Sequence, residues 1–161
     1  GGENFFLGKY EHPNGGSLTF APSIPGHVEH RQLSNNSLNV MAGCFLACTP
    51  GVNIKAKFGG LKAFFSGEGA FLLETSGSGD LFFNSFGGIV KKEINGEFIV
   101  DTGHVVAFDS SLNYSITGMG NFKSTMLSGE GLVMKFEGAG TLYLQTRNVS
   151  SVASWLTPRL L

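Results

Sequence analysis

Between Val52 and Ala56 the chain alternates apolar and polar residues, with Val52, Ile54 and Ala56 set against Asn53 and Lys55. Sixty residues later it does so again, with Leu112, Tyr114 and Ile116 set against Asn113 and Ser115. A period of two puts alternate side chains on opposite faces of an extended chain, so both stretches are predicted as half-buried strands with the same face inward. The match extends on both sides. Leu38–Phe58 aligns without gaps on Phe98–Gly118, and Val40 meets Val100, Gly43 meets Gly103 and Ala47 meets Ala107.

With small slips the correspondence runs on through Lys62 and Lys123 to the tetrad SGEG, which occurs at Ser66–Gly69 and again at Ser128–Gly131. GSGDLFF at Gly77–Phe83 and GAGTLYL at Gly138–Leu144 follow it. Glycine punctuation around apolar runs predicts two β-hairpins, Ala70–Thr75 with Leu81–Phe83 and Leu132–Glu137 with Thr141–Leu144. A glutamate at the centre of each tetrad would repel an anion, so SGEG is expected to be a turn and not a phosphate cradle.

A third, weaker copy is expected at the start, where Gly2-Glu3-Asn4 stands for Gly-Glu-Gly, Phe5–Tyr10 for one hairpin strand and Gly16–Phe20 for the other. Only its back half is present, which leads to the expectation that roughly thirty to sixty residues of the same unit precede it. Units of this size cannot bury an apolar face alone, so neighbours stack and share a core. The expected architecture is all-β: a pseudo-threefold repeat of hairpin and strand units forming a short double-stranded β-helix or β-prism. It is read as one domain over residues 1–161, with a partial first repeat at 1–25, a second at 26–85, a third at 86–147 and a tail at 148–161. In the tail, Val152, Trp155 and Leu156 fall at helical spacing, and a short helix over Ser150–Leu156 with a serine cap and Pro158 near its end is predicted.

Composition agrees with a glycine-rich β protein. The chain has 161 residues with 24 glycines and 15 phenylalanines against 5 prolines, and 42% of its residues are hydrophobic. Its formal net charge is −1, and apart from the pairs Lys55/Lys57 and Lys91/Lys92 the cations are scattered. That is no footprint for nucleic acid or an anionic membrane surface. No window reaches the roughly 18 apolar residues of a membrane span, and the first residues do not show the basic-then-apolar pattern of a signal peptide. The only cysteines are Cys44 and Cys48. Four apart on a strand they would lie about 13 Å apart on one face, too far for a disulfide, which fits a reducing compartment. The Asn-x-Ser triplets at Asn35, Asn113 and Asn148 are then chance matches.

The ordered combination of SGEG before an apolar strand, the GSG or GAG glycines, DTGHVVAF at Asp101–Phe108 and GTLYLQTRN at Gly140–Asn148 resembles the altered inheritance of mitochondria protein 24 family. The resemblance covers nearly the whole chain. It implies a fold similar to that of the tryptophan RNA-binding attenuator protein, itself a short variant of the double-stranded β-helix. It also implies a link, for the mitochondrial member, to organisation of the inner membrane, and no established activity for bacterial members. It transfers no catalytic residues. RNA binding does not come with the fold, because function resides in sites and the basic surface is missing. The compartment implied is cytoplasmic for a bacterial chain and mitochondrial for a eukaryotic one.

Asp101-Thr102-Gly103 matches the active-site triplet of aspartic proteases, whose chemistry needs two carboxylates sharing one proton. The aligned residues of the other copy are Met41-Ala42-Gly43, so only the glycine recurs and a turn is the better reading. His27, His30 and His104 are the candidate metal ligands of a cupin-like site, with Glu29 or Glu11 as nearby carboxylates. Such sites normally use alternate residues on one strand face, whereas a spacing of three puts His27 and His30 on opposite faces. Cys44 and Cys48 in FLAC-type surroundings read as buried small residues. Leu61, Phe64 and Phe65, and Phe122, Met126 and Leu127, sit in glycine-flanked connectors, where they either fold back on the core or form a contact patch.

The sequence thus points to a non-enzymatic structural or interaction module that forms a homo-oligomer through edge strands or connector patches, without cofactor or nucleic-acid partner. The alternative from a different class is a small-ligand-binding or metal-dependent cupin-like enzyme built on the three histidines. Peripheral membrane contact through the phenylalanine-rich connectors is a third expectation, carried by the mitochondrial relative and unsupported by charge.

Overall fold

The computed structural model describes residues 7–58, 71–118 and 132–160. Among the described residues the chain is mostly β, with eight strands in one open antiparallel sheet. They are β1 (Val28–Met41), β2 (Phe45–Cys48), β3 (Val52–Phe58), β4 (Phe71–Asn84), β5 (Ile89–Asp101), β6 (Val105–Asp109), β7 (Asn113–Gly118) and β8 (Leu132–Gln145). A short helix, α1 (Val149–Leu156), follows. The sheet runs β2-β4-β1-β6-β8-β5, with β3 also on β4 and β7 also on β8.

Equivalent strands pair in equivalent registers. β1 meets β4 with Val28 opposite Asn84, and β5 meets β8 with Ile89 opposite Gln145. β2 and β3 lie along β4 as β6 and β7 lie along β8. The turns agree too. The Thr49 hydroxyl accepts from the Asp80 N–H at 2.8 Å, and the Asp109 carboxylate accepts from the Thr141 N–H at the same distance. β1 starts sixty-one residues before β5, but from Asn36 and Gly96 onward the offset is sixty, and this slip has a local cause. Asn35 is an extra residue in β1, bulged between Ser34 and Asn36 at φ 55, and β5 has no counterpart. Asparagine tolerates this left-handed conformation better than most residues, which makes it a suitable bulge residue.

Three expectations are corrected. The GSG and GAG segments are not hairpin turns, because β4 and β8 are each one strand of 14 residues that runs straight through them. Their glycines serve close approach instead. Gly77 sits at φ 114, and a Cβ there would lie 2.4 Å from the Gly51 carbonyl oxygen, while the equivalent Gly138 sits at φ 118. Residues 7–25 contain no strand, so the expected strands at Phe5–Tyr10 and Gly16–Phe20 do not form there, and residues 1–6 lie outside the described residues. Cys44 lies in a 3-10 turn, Ala42–Cys44, and not on a strand.

The predicted tail helix is present and starts one residue earlier, at Val149. Its cap is Asn148, whose side-chain oxygen accepts from the N–H groups of Ser150 and Ser151, not a serine. That bond satisfies donors a helix start leaves orphaned.

Two apolar clusters form the core. One gathers Leu33, Leu38, Val40, Leu81 and Phe83 of the first half with Val106, Ala107 and Tyr143 of the second. The other gathers Ile94, Phe108, Leu112, Met134, Phe136 and Leu142. Edge-to-face ring pairs anchor both, Phe83 with Tyr143 at 5.2 Å and Phe108 with Phe136 at 4.9 Å. Such pairs contribute about 0.5–1.5 kcal/mol beyond their burial.

Candidate functional site

The polar side chains that the fold gathers are mostly engaged with one another. Glu29 and Arg31 are two apart on β1 and share a face. The Arg31 guanidinium donates to the Tyr143 hydroxyl at 2.6 Å and to the Asp109 carboxylate at 3.3 Å. Partial burial works against the Arg31 charge, but Tyr143 and Asp109 outweigh it and hold the guanidinium above its ordinary range. Glu29, whose side chain is only 14% exposed, takes the Lys91 ammonium on one oxygen and lies 3.5 Å from His27 Nε2 on the other. This cluster joins β1 to β5, β6 and β8. The sequence reading missed it because nothing in the spacing of Arg31, Asp109 and Tyr143 announces that they meet.

The three candidate histidines are held apart. His27 belongs with Glu29. His30 bonds Asp80 at 2.8 Å and stacks on Phe82 at 4.9 Å between centroids. His104 places Nδ1 2.8 Å from the Gln145 carbonyl oxygen, which requires that nitrogen to carry the proton. Glu11 pairs with Lys9 in an exposed segment. Among the described residues no set of three His, Cys, Asp or Glu side chains converges as a metal site.

The remaining candidates have local roles. Asp101 caps the 3-10 turn Thr102–His104 by accepting from the Gly103 N–H at 2.7 Å. Cys44 and Cys48 are both free thiols. Burial pushes Cys44 up to about 12 and raises Cys48 as well. Such thiols are poor nucleophiles, since the thiolate is the reactive form. Leu61, Phe64, Phe65, Phe122, Met126 and Leu127 lie outside the described residues.

What stands out is at the two ends of the sheet. β2 and β5 each pair on one side only among the described strands. β5 carries Val90 at 49% and Ile99 at 55% exposure. An unpaired edge offers a row of N–H and C=O groups to another strand, and apolar side chains beside it add a hydrophobic incentive. Helix α1 adds a second exposed apolar feature, with Val149, Val152, Trp155 and Leu156 all in solvent. Among the described residues no helix is long and apolar enough to cross a membrane.

Comparison with known proteins adds relatives and no activity. An uncharacterized protein of Streptococcus pyogenes serotype M6 is 33% identical over 158 residues, which is 96% of this chain and 64% of the relative. The crystal structure of a Streptococcus pyogenes protein superimposes with a TM-score of 0.78 at 32% identity, covering 88% of this chain and 63% of that one. The chain therefore spans slightly under two thirds of the length of either relative. The family model described as Mitochondrial biogenesis AIM24 matches residues 1–147, and together with these relatives it establishes that the chain belongs to that family.

Proposed function

We propose that this chain is a non-enzymatic structural or protein-interaction module of its family and acts as a homo-oligomer. The observation that carries the proposal is the pair of uncovered sheet edges, β2 at one end and β5 at the other, with exposed apolar side chains on β5. Natural edge strands are usually blunted by charge, proline or a covering segment; β5 carries such charges at Lys91, Lys92, Glu93 and Glu97, whereas its stretch Phe98–Val100 is uncharged with Ile99 more than half exposed, and that stretch is where a partner would fit. The matching registers of strands sixty to sixty-one residues apart support reading the halves as copies of one unit. Repetition of that unit around an approximate threefold axis, as a short β-helix or prism, is the architecture this proposal carries.

The separate engagement of each histidine, with Glu29, Asp80 or a main-chain carbonyl, favours the module over the cupin-like alternative. Size-exclusion chromatography with light scattering at tens of micromolar tests the proposal. A defined oligomer is the expected result, and a protein that stays monomeric throughout overturns it.

A further inference from the structure

An Asn-Gly pair usually marks a tight turn between two strands. Asn95-Gly96 instead lies inside β5, with Asn95 opposite Ala139 and Gly96 opposite Gly138. The residues facing this stretch, Gly138, Ala139 and Gly140, have a single methyl group among them to cover it. Asn95 is exposed, and among the described residues nothing bonds its side-chain amide. Gly96 sits at φ 119, a Cβ there would meet nothing within 4 Å, and Gly138 across from it sits at φ 118. Both sides of this pair thus depart from regular strand geometry, and there is open space beside Gly96.

That exposure does not depend on what pairs with β5. Its counterpart β1 is paired on both sides, with β4 and, across the short seam between the halves at Leu38–Val40, with β6. The seam leaves Asn39, the counterpart of Ile99, only 5% exposed. Ser34, which matches Asn95, stays exposed there, as do Gln32 and Asn36. A strand beside β5 in the same arrangement would cover Ile99 and leave Asn95 in water. Other asparagines are better protected. Asn36 and Asn148 have their side-chain oxygens engaged by main-chain N–H groups, and Asn39 and Asn84 are buried. In the other Asn-Gly pair, Asn14-Gly15, the glycine N–H donates to the His12 carbonyl oxygen at 3.1 Å.

We propose that Asn95-Gly96 is a site of spontaneous deamidation, at which β5 gains a negative charge as the molecule ages. The Gly96 main-chain nitrogen, on losing its proton to solvent base, attacks the side-chain carbonyl carbon of Asn95. A carbon–nitrogen bond forms to close a succinimide, and the side-chain nitrogen takes a proton from water and leaves as ammonia. Water then opens the ring at either carbonyl, giving aspartate or, with an extra main-chain methylene, isoaspartate. Glycine favours the ring closure because it has no side chain to crowd the attacking nitrogen. The new carboxylate shares a strand face with Glu93 and Glu97 and lies diagonal to Glu137. Lys135 is already shared by Glu97 and Glu137. Like charges gathered across a strand pair weaken it, so the change loosens β5 from β8.

The test incubates the purified protein at mildly alkaline pH, folded and in parallel unfolded in guanidinium chloride, and follows Asn95 by peptide mass spectrometry. In the folded protein Asn95 should turn to acid at a rate within about tenfold of the unfolded chain, as for a segment whose local opening costs little. The acid should include isoaspartate, read as methyl acceptance by the peptide with a protein isoaspartyl methyltransferase. Asn95→Gln, at an exposed position, should fold normally and remove that signal from the peptide. A folded protein in which Asn95 converts more slowly than this tenfold window overturns the proposal, because strand pairing then protects the site. Aspartate without isoaspartate overturns it as well, because the ring was then never formed.

Discussion

Gly77 and Cys44 show how single residues tie this fold together. Both Gly77 and Gly138 adopt backbone angles that L-residues avoid, but they differ in surroundings. A Cβ at Gly77 would meet the Gly51 carbonyl oxygen at 2.4 Å, whereas at Gly138 the nearest atom is the Ser111 carbonyl oxygen at 3.4 Å. Gly138→Ala should therefore cost the conformational strain alone, about 1–3 kcal/mol, and Gly77→Ala clearly more, as urea unfolding of the two variants will show. Cys44 links stability to pH. The folded protein holds its thiol neutral up to about 12, while an unfolded thiol ionises near 9. Its contribution is complete below the unfolded value and drains away as pH rises toward the folded one, by at most about 1.4 kcal/mol per pH unit. Unfolding free energies at neutral pH and at about pH 10.5 should diverge, and Cys44→Ala should narrow the gap.

At the level of elements, the strands with period-two alternation were legible in the sequence, and so was the helix, because both signals are local. Val52–Ala56 lies in a strand as expected, and so does the second segment from Asn113 to Ile116, Leu112 standing just before it. The GSG and GAG segments misled, since a glycine that reverses the chain and a glycine that lets another backbone approach look alike in sequence. The β1·β6 seam was illegible for another reason. Pairing between halves depends on topology, so neither the burial of Asn39 nor the exposure of Ile99 follows from composition. The Arg31–Asp109–Tyr143 cluster was hidden in the same way.

The tail helix yields a prediction at this scale. It buries none of its residues, and its start is held by Asn148. Asn148→Ala should remove about 1 kcal/mol from the helix without lowering the cooperative melting of the sheet. Hydrogen exchange should accelerate at residues 149–156 and stay unchanged in β8. A matching loss of sheet stability would show that the helix packs where the structure leaves it exposed.

For the whole molecule the decisive property is that its core is shared across the seam while its ends are not. Val106, Ala107 and Tyr143 complete the cluster founded on Leu38 and Phe83, so the two halves should unfold together. The same sharing makes an open end expensive, because Ile99 stands in water where Asn39 stands in the core. If copies add at these ends, association and folding are linked by mass action. A hundredfold rise in concentration can then add up to about 2.7 kcal/mol to the folded state. For a chain of this size each kcal/mol moves the midpoint by about 2–4 °C. The melting temperature of the wild-type protein should therefore climb by several degrees between low and high micromolar concentration, measured by calorimetry. That of Ile99→Lys should stay level and coincide with the wild type at the dilute end. A wild-type midpoint that ignores concentration would mean that the two edges are left unpaired in solution, and that their apolar side chains are tolerated rather than used.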